Sequence, residues 1–132
     1  MIASLLGFGF GALDPVASAS PAGHPVPQVA TADERVVVID DPSLVHGRPL
    51  PVDTWSRDES NGALSVQFSL ASPGCSAVHA EVAETADAVT VELRVGTRPD
   101  AIGRMCTMIV VPATLEVTLQ APLGGRTVLS AY

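Results

Sequence analysis

Two cysteines, three histidines and three carboxylate doublets are the groups in this chain that could cross-link, move protons or hold a metal. Cys75 and Cys106 are the minimum set for one disulfide, and no CxxC spacing marks them as a redox or metal pair. A structural disulfide is therefore the expectation, with two unrelated buried thiols as the alternative. The bond would place folding outside the reducing cytosol. A hydrolytic triad needs a serine, a histidine and an acid converging at a positioned turn, and no GxSxG elbow is present. His24 has no partner ligand at motif spacing. His46 lies beside Arg48 among prolines, and His79 falls on the polar side of an alternating segment. The doublets Asp33-Glu34, Asp40-Asp41 and Asp58-Glu59 are poor acid/base pairs, because neighbours in an extended chain point to opposite sides. They also lack the spacing of a calcium loop. No phosphate-binding loop exists, since Gly124-Gly125-Arg126 reads as a hairpin turn with Arg126 at its exit. Neither a catalytic residue, a metal nor a cofactor is expected.

Trp55 is the single tryptophan, flanked by Asp53, Arg57, Asp58 and Glu59. In a charged loop, Trp55 with Arg57 is a candidate partner-binding spot. The competing reading is an apolar plug over one end of the core, favoured because large side chains are mostly buried when a core is near.

The elements that must position these groups are strands. Leu64, Val66, Phe68 and Leu70 alternate with Ser65, Gln67 and Ser69, the period of a half-buried strand. Val78 to Glu84 alternates again, and so does Val89 to Val95, which makes Glu84 to Val89 a hairpin connection. Val36-Val37-Val38-Ile39 is a short β-branched run, ended by Asp41-Pro42. Ser43 to Ser60 reads as loop, and Asn61-Gly62 as a turn. Met105 to Val111 is a nearly continuous apolar run, read as a strand buried on both faces and ended by Pro112. Leu115, Val117 and Leu119 form another strand, and Thr127 to Leu129 a last short one. About seven short antiparallel strands with turn signals between them predict an all-β fold, a single small β-sandwich carrying one disulfide.

The chain has 132 residues, enough for one domain. Its net charge is −7 and every basic residue is arginine, dispersed from Arg35 to Arg126. That balance argues against nucleic acid and anionic membrane surfaces, which need clustered cations. Abundant Ala and Val with scarce Lys, Asn and Ile is the mark of a GC-rich genome.

Residues 1–19 read as an export signal. Ile2 to Leu13 is apolar and uncharged, too short for a span of about 20 residues. Pro15 breaks it, and Ala17-Ser18-Ala19 supplies the small residues of a cleavage site after Ala19. No Lys or Arg precedes the run, which is read as a start that lies upstream or was misassigned. The alternative is a disordered or buried helix. No cysteine follows closely enough for a lipid anchor. Residues 20–34 form a Pro/Ala-rich lead, read as flexible and without secondary structure. Residues 35–132 then form the β-domain.

From Ala63 to Tyr132 the chain resembles a broad set of small secreted actinobacterial proteins. The resemblance rests on Cys75, the strand pair Val78–Val82 and Val89–Leu93, Cys106, Leu115–Leu119, and Pro122-Leu123-Gly124-Gly125-Arg126-Thr127-Val128. Leu129-Ser130 stands where that set often has an aspartate. The resemblance implies export, one disulfide and β-structure, and no activity. Met105-Cys106-Thr107-Met108 is similar to the reactive loop of the secreted subtilisin-inhibitor family, whose second methionine meets the protease. Carried over, Met108 is the primary specificity residue. Thr107 replaces the family's proline, and its second disulfide is absent. The expectation is thus an exported, non-enzymatic binding or structural module of the cell envelope or medium, its partner a protein or envelope component. A secreted protease inhibitor presenting Met108 is the narrower alternative, and a small secreted hydrolase the alternative from another class.

Overall fold

In a computed structural model, residues 23–30, 34–57 and 63–132 are described. The proposed signal peptide and its cleavage site lie outside them. Nine strands follow one another: β1 (His24–Pro25), β2 (Val36–Val38), β3 (Val45–Leu50), β4 (Thr54–Arg57), β5 (Leu64–Ala71), β6 (Ser76–Glu84), β7 (Ala88–Thr97), β8 (Val110–Val117) and β9 (Thr127–Ser130). The chain is all-β, and among the described residues one 3-10 turn lies at Pro99–Ala101. No helix among the described residues is long and apolar enough to cross a membrane.

The alternating segments become strands for the reason that predicted them. Leu64, Val66, Phe68 and Leu70 of β5 are buried, as are Val89, Val91, Leu93 and Val95 of β7. β6 and β7 pair without a break from Ser76–Thr97 to Glu84–Val89, closing the expected hairpin. Strands fall into two sheets, one ordered β1-β9-β7-β3 with β6 on β7's other side, the other ordered β2-β8-β5-β4. One core cluster takes Val78, Val89, Val91, Leu93 and Val128 from the first sheet and Leu64, Val66, Phe68, Ala113 and Leu115 from the second. It is mostly aliphatic, and Phe68 and Trp55 are its aromatic members.

The expectation of purely antiparallel strands is corrected, because β2–β8 and β7–β9 run parallel. The loop expected over Ser43–Ser60 is corrected too, since it contains β3 and β4. Its irregular sequence is real. β3 carries a register shift between Val45 and Arg48, with His46 at φ 58. Gly96 on β7 makes room for it, because a Cβ there would run into the Val45 carbonyl oxygen. β3 thus pairs through backbone hydrogen bonds that no side-chain alternation announces.

The lead also differs from its expected lack of structure. His24 and Pro25 pair with β9, Val26 N–H donates to Val128 O at 3.1 Å, and Val26 is buried. Further along, Trp55 N–H donates to Pro27 O at 3.0 Å and Val29 N–H to Trp55 O at 2.8 Å. Prolines are tolerated at a sheet margin, where one missing donor leaves no gap in a ladder.

The largest correction falls on Met105–Val111. β8 begins only at Val110, and the residues before it form an exposed loop. β8 pairs with β5, whose last strand residue, Ala71, lies opposite Val110. Beyond Ser72, which donates to Ile109 O at 2.8 Å, the partner strand has ended. A strand cannot continue where nothing accepts its hydrogen bonds. Pro112, expected to end a strand, lies inside β8 instead. The Ser72–Ile109 bond turns alternate residues of β8 from Ile109 onward toward β5, so the missing N–H of Pro112 faces the other edge. β2 joins that edge only at Ala113.

Cys75 and Cys106 are bonded, as expected, across a sequence separation of 31. Closing a loop of that length stabilises the fold by about 3–4 kcal/mol in the chain-entropy description. Replacing both cysteines with alanine is expected to lower the unfolding free energy by about that amount, seen as a lower urea midpoint and a steeper slope in tryptophan fluorescence, because the unlinked denatured chain exposes more surface. An unchanged midpoint would show that strand pairing alone holds this corner.

Candidate functional site

The disulfide ties the middle of one loop to the corner between β5 and β6. On the loop's upstream side, Arg98 N–H donates to Cys75 O at 2.8 Å and Arg104 N–H to Ala101 O at 3.0 Å, with Ala101 buried. Gly103 adopts φ 82, a left-handed turn that glycine takes without strain. Arg98 also pairs with Asp100 at 3.1 Å. Downstream, the Ser72–Ile109 bond fixes the loop's exit. Between these anchors the apolar side chains face outward: Met105 is 98% exposed, Met108 91%, Ile102 59% and Ile109 52%. Val110 continues the patch at 65%. The apolar loop is thus held at both ends and at its centre, and left unburied.

Of the residues singled out in the sequence, Met108, Cys75 and Cys106 come together here. Trp55 and Arg57 do not. Trp55 is buried, its Nε1–H donates to Val26 O at 3.1 Å, and Arg57 lies 5.7 Å from the ring centroid. Arg57 also donates to Gly124 O at 3.1 Å. The pair is thus a plug and clasp over the lead, and the reading of Trp55 as an exposed binding spot is corrected. Burial of the only tryptophan satisfies both its ring and its N–H.

Two polar clusters were not foreseen. Asp40, expected to be solvated, joins the sheets. Its Oδ1 accepts from Ala80 N–H at 2.8 Å and lies 3.0 Å from His79 Nδ1. The other ring nitrogen of His79 lies 3.5 Å from Glu81. The order is acid, histidine, acid: where a triad would place a hydroxyl, a second carboxylate stands. Asp41 accepts from the backbone and hydroxyl of Ser43. The Ser43 hydroxyl bond, first, and then the backbone bond hold the Asp41 carboxyl below its usual range. The Asp-Pro-Ser triplet was the legible signal for this turn.

Arg126 is the second hub. It donates to the carbonyls of Ala121, Pro122, Leu123 and Thr85 and to Glu84 Oε1, the last at 3.2 Å. Glu84 Oε2 accepts from Gln120 N–H at 2.7 Å. Arg126 therefore fastens the Pro-Leu-Gly-Gly turn to the β6–β7 hairpin. Sequence spacing marked the turn but not the carbonyls its guanidinium collects. Among the described residues no group of three or more His, Cys, Asp or Glu side chains comes together as a metal site.

Comparison with family models, curated proteins and solved structures finds no match for this chain.

The Gln120 backbone bond, first, and then Arg126 depress the Glu84 pKa below its ordinary 4.5. A depressed carboxylate contributes stability above its unfolded pKa and loses it as pH falls through the folded value. Glu84→Gln is therefore expected to be less stable than the parent at pH 7, with the difference shrinking below pH 4.5. Urea midpoints across that range check this; a constant difference at every pH would mean that the charge of Glu84 is not involved.

Proposed function

We propose that this chain is an exported, non-enzymatic binding module of the cell envelope or medium. Its two sheets stack as one small β-sandwich, and it presents the Ile102–Val110 patch to a protein or envelope partner. The observation that carries the reading is the exposure of Met105 and Met108 on a loop anchored by Cys106. Ordering such a loop in advance removes entropy that a flexible one would lose on binding. Methionine side chains suit the role, since their unbranched thioethers adapt to an apolar partner. Export is supported by the disulfide and by the apolar run before Ala17-Ser18-Ala19.

A second reading has an observation of its own. Met108 lies two residues beyond the disulfide-held Cys106 and is exposed, as the resemblance to the subtilisin-inhibitor family implies for a residue that meets a protease. The hydrolase reading gains an acid–histidine pair in Asp40 and His79, but Glu81 occupies the side a nucleophile would need.

The module reading predicts that the processed protein is recovered from medium or envelope and captures an envelope partner there. The double variant Met105→Asp/Met108→Asp should lose the capture while keeping its urea midpoint. Unprocessed protein confined to the cytosol would refute export, and equal capture by both proteins would remove the loop from the binding surface. For the inhibitor reading, the parent should slow peptide hydrolysis by a subtilisin-type protease, and Met108→Asp should weaken inhibition at least about tenfold, the 1.4 kcal/mol scale of one lost apolar contact. No inhibition at micromolar protein sinks that reading and leaves the module standing.

A further inference from the structure

Sulfur in this chain is divided between atoms that hold the fold and atoms that the fold does not use. Cys75 and Cys106 are bonded to each other, so no thiol remains, and Cys75 is buried. Met105 and Met108 are the methionines of the described residues, and both side chains stand almost wholly in solvent. The core holds no thioether; it is built from Val, Leu and Ala113 with Phe68 and Trp55. The other side chains that oxidants attack are sheltered. Trp55 is buried, and Tyr132 is half-buried with its hydroxyl bonded to Glu92.

The neighbours of the two methionines sharpen the contrast. Ile102, Ile109 and Val110 make the same exposed surface apolar without sulfur, and a peroxide leaves hydrocarbon side chains unchanged. A thioether is the apolar group that a mild oxidant turns into a polar one. A disulfide persists where thiol reductants are scarce, and there a displayed thioether meets peroxides that a thiol pool would otherwise consume.

We propose that Met105 and Met108 are an oxidation site, through which a peroxide turns the loop's apolar surface polar while the fold stays in place. The sulfur lone pair attacks one peroxide oxygen, the O–O bond breaks and an S–O bond forms. Sulfur gives up two electrons, and the second oxygen leaves as water with both protons. Each methionine then carries a sulfoxide, a strong hydrogen-bond acceptor where a hydrophobic thioether stood. The fold loses nothing, because neither side chain is buried and the anchors of the loop contain no oxidisable atom: the bond is already a disulfide, and the Ser72–Ile109 contact is backbone. Release of an apolar partner by this modification rests on the reading of the loop as a binding surface; the site and the survival of the fold do not.

The full chain, disulfide intact, is treated with hydrogen peroxide and followed by peptide mass analysis. Met105 and Met108 should each gain one oxygen at a rate close to that of free methionine. The oxidised protein should keep the parent's urea midpoint and leave a phenyl column earlier than the parent. Met105→Leu/Met108→Leu should gain no oxygen in this loop, and its retention should be the same before and after peroxide. Capture of the envelope partner should weaken at least about tenfold on oxidation, since an apolar contact leaves the sulfoxide oxygen without a donor. The leucine variant, treated identically, should keep its capture. Oxidation much slower than that of free methionine, a lowered urea midpoint, or unchanged retention would overturn the site. A parent that captures and captures equally well when oxidised would overturn its control of binding. A parent that captures nothing before oxidation would instead remove the binding reading, and partner release with it, while mass and retention still decide the site.

Discussion

One strand, β7, holds an entire sheet together, because it uses both of its edges along its length. β6 occupies one edge from Val89 to Thr97. β3 and β9 divide the other, β3 taking the Leu93–Thr97 end and β9 the Ala88–Val91 end. Alternate residues Val89, Val91, Leu93 and Val95 fill the core at the same time. Neither β3 nor β9 could bury its backbone without this strand. The parallel pairing of β9, the accommodating Gly96 and the docked lead all follow from β7's second edge being shared by two short strands.

Side-chain alternation and backbone pairing are separate sources of order, and only the first is written in the local sequence. β5, β6 and β7 were legible because one of their faces is apolar and the other polar. β3 was not, since Val-His-Gly-Arg-Pro-Leu has no period and its order comes from hydrogen bonds to β7. The Met105–Val111 run misled in the opposite sense. Its composition suits a buried strand, but pairing partners end at Ser72, and an apolar run without a partner strand is left outside. The cysteine pair was legible as a bond, and Met108 as a candidate contact residue. The surroundings of Met108 were not, because exposure depends on where a distant strand stops.

Polar residues in this small protein act mainly at the margins of its sheets. Asp40 bridges the β2 side to β6, Arg126 gathers carbonyls of one turn, and Glu84 joins that turn to a hairpin. The outer face of the second sheet is tied by Gln67, whose amide meets Thr54, Ser56 and Thr114 across three strands. Such groups satisfy backbone and side-chain atoms that a short strand would otherwise leave unpaired. With an aliphatic core of modest size, geometry at the margins is set more by these bonds than by packing.

The anchoring of the exposed loop has a bearing on how the chain would withstand a break in it. A protease cutting between Met108 and Ile109 would make two new ends, and neither is free to leave. Cys106 stays covalently joined to Cys75, two residues before one end. Ile109 stays fastened to Ser72, with all of β8 laddered onto β5 behind it. The nicked molecule would keep its two ends side by side and would not come apart at the cut.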